Sequence, residues 1–149
     1  MARKKVATCF WFDRNAEEAA RFYVSLLPDS RIDSVIKSPD GNVLVVEFTL
    51  AGTPYQALNG GPHFTLSEAA SISVLTEDQA ETDRLWDILT SDGGTESQCG
   101  WVKDRFGLSW QIVPRKATEL LSGSDAAKVF PALMTMGKIE IATLEAATA

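Results

Sequence analysis

The order of elements in the first 61 residues returns in the next fifty. A strand, a helix and three strands can be read between Val6 and Gly61, and the same succession restarts at Ala70 and closes at Pro114. Each copy has a sheet face that it cannot cover alone, so two copies are expected to pair, within one chain or across a dimer. The predicted fold class is therefore α+β, with two tandem strand-helix-three-strand modules. They form a single domain, with module one over about 5–61, module two over about 70–114 and a helical extension over 115–149.

The local signals support each step. Lys5 to Asp13 alternates strand formers with apolar residues on both sides, which predicts a strand buried on two faces. Asn15 stands three residues before Glu18 in a capping-box arrangement, and Ala16, Ala19, Ala20, Phe22, Tyr23, Leu26 and Leu27 recur at helical spacing, which predicts a helix from about Ala16 to Leu27 that Pro28 ends. Arg31 to Lys37, Val43 to Leu50 and Tyr55 to Leu58 read as strands joined by turns with Pro and Gly.

In the second copy, Ala70 opens a strand, and Thr76 to Glu81 offers two overlapping caps. Leu85, Trp86 and Leu89 mark the inward stripe of a helix that ends near Gly93. Short strands follow at Thr95 to Gln98, Trp101 to Lys103 and Leu108 to Val113, the last entered through the tight turn Asp104-Arg105-Phe106-Gly107. Beyond Pro114 only helices are expected: Lys116 to Leu121, one capped by Ser124, and Ile139 to Ala146. Phe130, Met134 and Met136 are expected to pack against the sheets or a second subunit.

Composition removes several function classes. A net charge of −6 without a basic stripe argues against nucleic acid, which needs clustered Lys and Arg. No apolar run is long enough to cross a bilayer, and Met1 to Lys5 leads into a strand pattern, so a cytoplasmic protein without membrane contact is expected. Cys9 and Cys99 lack partners at metal-ligand spacing and are expected to be buried free thiols.

The repeat, together with particular motifs, resembles the vicinal oxygen chelate (glyoxalase/bleomycin-resistance/dioxygenase) superfamily, in its PhnB-like branch. That branch is often labelled 3-demethylubiquinone-9 3-methyltransferase-like. The residues that carry the resemblance are Phe10-Trp11-Phe12-Asp13 with Asn15-Ala16-Glu17-Glu18-Ala19 and Phe22-Tyr23; Leu58-Asn59-Gly60-Gly61-Pro62; Cys99-Gly100-Trp101-Val102-Lys103-Asp104; Phe106-Gly107 through Trp110-Gln111-Ile112-Val113-Pro114; and the tail Lys138-Ile139-Glu140-Ile141-Ala142. The resemblance implies, in the superfamily's enzymes, one divalent metal held by side chains from the first and last strand of each module, and a homodimer that pairs sheets and covers them with the C-terminal helices is expected.

Carried over by register, those positions are Thr8, Gln56, Ser71 and Gln111. None is a histidine or a carboxylate, and a neutral amide supplies no charge to offset the dehydration of a divalent ion, so the residues argue against a metal and no cofactor is predicted. A register shifted by one residue would substitute Ala7 or Cys9 without rescuing the site. With Asn59, these four would place neutral hydrogen-bonding groups among Phe10, Trp11, Trp101 and Trp110, a makeup suited to a small-molecule pocket. Gln56 and Gln111 would otherwise satisfy each other or the backbone in a barrel core. His63, in the loop after the Gln56 strand, is either a ligand or proton-transfer group or an ordinary loop residue.

The expected function is small-molecule binding without the usual metal, with enzyme status open. The first alternative is a metal-dependent lyase, isomerase or dioxygenase. The second, a methyltransferase as the family label suggests, is disfavoured because no glycine-rich loop joins a strand to a helix: Gly60-Gly61 precedes Pro62, and Gly93-Gly94 ends a helix. Nucleophilic catalysis has no motif behind it either, since no Gly-x-Ser-x-Gly elbow occurs.

Overall fold

The structure is a computed structural model that describes residues 3–149. Residues up to Leu66 form one compact unit and Ser67–Ala149 a second. In the first unit, β1 (Thr8–Phe12) leads into α1 (Ala16–Val24), followed by β2 (Arg31–Lys37), β3 (Val43–Leu50) and β4 (Thr53–Asn59). The strands make a four-stranded sheet in the order β1-β4-β3-β2, with β1 and β4 parallel and the other neighbours antiparallel.

The second unit repeats the wiring. Strand β5 (Ser71–Thr76) leads into α2 (Gln79–Thr90), and β6 (Thr95–Glu96), β7 (Trp101–Lys103) and β8 (Ser109–Pro114) complete a sheet ordered β5-β8-β7-β6, with β5 and β8 parallel. Helices α3 (Arg115–Leu121), α4 (Ala126–Leu133) and α5 (Ile141–Ala146) follow. The predicted α+β architecture of two tandem modules with C-terminal helices is what the chain adopts.

In each unit one helix covers one face of one sheet. Helix α1 buries Ala16, Ala19, Ala20 and Tyr23, and the small alanines let it lie close over Val46, Phe48, Phe10 and Phe12. Tyr23 and Phe48 meet with ring centroids 6.1 Å apart. Strand β1 corrects the expectation of two buried faces: Phe10 and Phe12 are buried, whereas Cys9 is exposed and Trp11 only half-buried, because no helix lies on their side.

The cysteines depart from expectation for related reasons. Cys9 shares that uncovered side, and Cys99 is half-buried at the turn between β6 and β7, in a left-handed conformation with φ 58°. Its backbone N–H donates to Met136 O at 2.8 Å and that of Gly100 to Gly137 O at 2.9 Å, which straps the C-terminal segment to the turn. Gln79 completes the strap, donating to Ile139 O at 3.0 Å and accepting from Ile141 N–H at 2.8 Å. Behind it Ala117, Val129, Leu133, Met136, Ile139 and Leu144 form a small apolar core. Met136 therefore packs as expected, while Phe130 on α4 and Met134 just after it are exposed.

Capping also differs from the sequence reading. Asn15 makes no side-chain cap on α1, and the residue before α4 is Asp125, not Ser124. Helix α2 keeps its predicted cap: Asp78 Oδ1 accepts from Glu81 N–H at 2.8 Å and Glu81 Oε1 accepts from Glu77 N–H at 2.9 Å.

The turn before β8 is organised by one buried carboxylate. Asp104, 3% exposed, accepts from the N–H groups of Phe106 and Leu108 with Oδ1, at 2.8 and 3.1 Å, and from Trp110 Nε1 with Oδ2 at 2.8 Å. Gly107 supplies the left-handed residue that the turn needs, with φ 89°. Asp104→Ala would leave these donors buried and unsatisfied, so it is expected to destabilise the chain by roughly 3–5 kcal/mol, measured as a shift of the urea unfolding midpoint.

Candidate functional site

The sheet face turned away from α1 carries the polar chemistry of the first unit. Cys9, Gln56, Glu47 and Ser34 stand opposite one another across β1, β4, β3 and β2. Ser34 Oγ donates to Glu47 Oε1 at 3.0 Å and Gln56 Nε2 to Oε2 at 3.4 Å, while Arg3, ahead of β1, pairs with the same carboxylate at 2.9 Å. A bulge between Ile32 and Ser34 turns Asp33 toward the same face. There it accepts from Thr49 Oγ1 at 2.7 Å and pairs with Arg31 at 2.9 Å.

These groups border a cavity of about 490 Å³ at the edge of the sheet where β2 and β4 begin, with Lys4, Asp29, Pro54 and Tyr55 also in its wall. Burial pushes the Tyr55 phenol above its ordinary pKa. The volume lies in the range of small-molecule sites.

In the second unit the uncovered face holds Ser71, Ser109, Gln111, Trp101 and Lys103. Gln111 Nε2 donates to Ser71 Oγ at 2.9 Å. A smaller cavity of about 190 Å³ is lined by Trp101, Lys103, Ser109, Glu68 and Glu96. Ser109 is buried, and its hydroxyl finds no hydrogen-bond partner among the described residues. Lys103 Nζ meets Glu68 at 2.6 Å, and that hydrogen bond holds the Glu68 carboxyl below its ordinary pKa.

The sequence-derived site residues are dispersed by this geometry. Thr8 stands opposite Tyr55, and it is Cys9 that faces Gln56, so the register expected for β1 is off by one residue and Thr8 points toward the helix side. Phe10 and Trp110 are core residues on the helix-covered faces, Phe10 stacked on Tyr55 at 5.7 Å and Trp110 bonded to Asp104. Trp11 lies over the Gly60-Gly61 turn, its Nε1 donating to Gly61 O at 2.9 Å; a Cβ on Gly60 would come within 2.3 Å of the indole.

Asn59 is a helix cap reached through space. Its Oδ1 accepts from Ala16 N–H at 2.8 Å and its Nδ2 donates to Val43 O at 3.1 Å, which replaces the expected Asn15 cap. His63 is exposed in the loop beyond β4. Sequence reading passed over Glu47, although a carboxylate in the apolar run Val43 to Leu50 was itself a signal, and it passed over Arg3, Arg31 and Asp33.

The sequence profile of the 3-demethylubiquinone-9 3-methyltransferase family matches residues 4–113. The chain belongs to that family. Among solved structures, it is similar to a putative 3-demethylubiquinone-9 3-methyltransferase, PhnB protein, from Bacillus cereus, at 29% identity and TM-score 0.69, with 74% of this chain and 99% of that one covered. Protein PA1353 from Pseudomonas aeruginosa matches at 20% identity and TM-score 0.59, covering 75% of this chain and 98% of that one. The fosfomycin resistance protein FosX from Mesorhizobium loti matches at 16% identity and TM-score 0.59, over 83% and 100%. The first two of these findings bear out the PhnB-like resemblance, and the chain shares its fold with FosX and with a glyoxalase/bleomycin resistance protein from Albidiferax ferrireducens (12% identity, TM-score 0.52). No curated protein matches the chain.

The donors that this family member offers at the superfamily's metal positions do not fit a divalent ion. They are the thiol and amide of Cys9 and Gln56 in one sheet and the hydroxyl and amide of Ser71 and Gln111 in the other. Cys9 is exposed by surface area, yet enough of the sheet surrounds its sulfur to push the thiol pKa up. Among the described residues no three His, Cys, Asp or Glu side chains come together as a metal group, and no helix is long and apolar enough to cross a membrane.

Two outcomes follow from these placements. Asn59→Ala should lower stability by about 1 kcal/mol through loss of the α1 cap, seen as a lower thermal midpoint. Because the Glu68 pKa is depressed in the folded state, its contribution is present above the ordinary carboxylate pKa and is lost as pH falls through the depressed value. A carboxyl-detected NMR titration should therefore place the Glu68 midpoint below the usual range in the parent and return it to that range in Lys103→Met.

Proposed function

We propose that this chain binds a small organic molecule on the uncovered face of its first sheet, and that it does so without a metal. The observation that carries the reading is the cavity of about 490 Å³ with Glu47, Asp33, Arg31 and Ser34 in its wall. A strand interior rarely spends a carboxylate, and here one is two-thirds or more sheltered, at 19% side-chain exposure, and held by donors on three sides.

The metal-dependent lyase, isomerase or dioxygenase reading meets a donor set of amides, hydroxyls and an unactivated thiol, which offers no charge to compensate dehydration. Methyl transfer of the kind in the family's description has less behind it. Both strand-to-helix junctions, Asp13-Arg14-Asn15 and Glu77-Asp78, are free of glycine, and the α1 junction is closed by the Asn59 side chain, so neither opens a nucleotide crevice. A homodimer and a cytoplasmic location belong to the same proposal, the first resting on repeated modules whose sheet faces need partners and the second on the composition of the chain.

The test is a fragment set spanning neutral, anionic and cationic compounds, followed by amide NMR. Saturable shifts are expected at Ser34, Glu47 and Thr49, and a set that leaves these amides unmoved would remove the cavity from consideration. In parallel, protein offered Mn, Fe, Co, Ni and Zn in turn and then desalted should retain far less than one equivalent by mass spectrometry. Retention of a full equivalent would return the chain to the metal-dependent branch.

A further inference from the structure

The charges around the first cavity come from two sources. The sheet and its preceding loop supply Asp29, Arg31, Asp33 and Glu47, fixed by β2 and β3. Arg31 is spent on its neighbours, at 2.9 Å from Asp33 and 4.0 Å from Asp29. Glu47 is left with neutral partners from the sheet, Ser34 at 3.0 Å and Gln56 at 3.4 Å. The cation that meets it, Arg3 at 2.9 Å, arrives from the segment before β1, outside every strand, and its own side chain is 50% exposed.

A carboxylate that is only 19% exposed is costly to hold without a positive partner. The strands thus build a position that requires a cation, beside a cavity large enough for one carried on an organic body, and they do not fill it themselves. A tethered guanidinium fills it instead.

We propose that Glu47 is the recognition point for a small organic cation, an alkylguanidinium or alkylammonium, and that Arg3 occupies this point in the free chain as a tethered competitor. Ser34 and Gln56 orient the carboxylate, and the aliphatic part of the ligand lies along the cavity wall at Pro54, which stands opposite Thr49 on the same face. This deepens the cavity reading above and rests on it. The plain alternative is that the Arg3 pair merely pins the start of the chain to the sheet, and the two differ in what happens when Arg3 is removed.

The experiment titrates n-butylguanidinium, with neutral n-butylurea as its isostere, into the parent and into Arg3→Ala, Arg3→Lys and Glu47→Gln, reading the amides of Ser34, Glu47 and Thr49. Arg3→Ala should bind the cation roughly fivefold more tightly than the parent, the factor by which a partly exposed ion pair of ordinary strength depletes the open form. Arg3→Lys should return toward parental affinity because it restores the competing charge. Glu47→Gln, which keeps the shape and the Ser34 contact, should lose saturable binding, and n-butylurea should not bind.

Equal or weaker binding in Arg3→Ala, or binding that survives in Glu47→Gln, overturns the proposal. Circular dichroism melts of each variant separate a lost site from a lost fold. If neutral or anionic fragments still move these amides while n-butylguanidinium does not, the cation assignment falls and the cavity stands; if no fragment of any charge moves them, both fall.

Discussion

One helix can cover one face of one four-stranded sheet, and the rest of the molecule follows from that limit. The chain satisfies it twice, with α1 over the first sheet and α2 over the second, and each time the opposite face is left to polar or mixed side chains. Burial of apolar area drives the covered face to close, at about 25 cal/mol per Å². The uncovered face is free to carry chemistry because its residues are not needed for that closure.

The parallel pairing of first and last strands sharpens the division. It brings the end of β4 beside the start of α1, so Asn59 can cap a helix that begins 43 positions earlier in the chain. The same pairing in the second unit sets β8 beside β5, where Gln111 reaches Ser71. In both units an amide that looks available for a ligand is already engaged by the fold. The groups with ligand capacity are those that the strands leave incompletely served, chiefly Glu47 in the first unit and the Ser109 hydroxyl in the second.

Membership of the 3-demethylubiquinone-9 3-methyltransferase family and the glyoxalase-like fold does not by itself assign a reaction. The side chains at the positions that the resemblance assigns to a metal are neutral amides, a hydroxyl and a thiol, and among the described residues no three His, Cys, Asp or Glu side chains come together as a metal group. What this chain has beside them is a charged wall at an open cavity, where Glu47 stands opposite Gln56 and accepts from its amide at 3.4 Å.

Element order and helix faces were legible in the sequence, because period-two and helical spacing reflect local backbone geometry that survives folding. Ala16, Ala19, Ala20 and Tyr23 fell where their spacing put them, as did Leu85, Trp86 and Leu89. The candidate site was much less legible. A slip of one residue in β1 exchanges the faces of Thr8 and Cys9, and a strand that is apolar on both sides holds no local mark of which side the helix will take. Trp110 and Phe10 read as pocket aromatics until the register placed them under helices. The sequence alone determined two sheets, each with a helix, from patterns repeated along the chain. Only the tertiary structure decided which faces stay uncovered, that Asn59 caps α1, and that Arg3 meets Glu47, since each depends on strands far apart in sequence being set side by side.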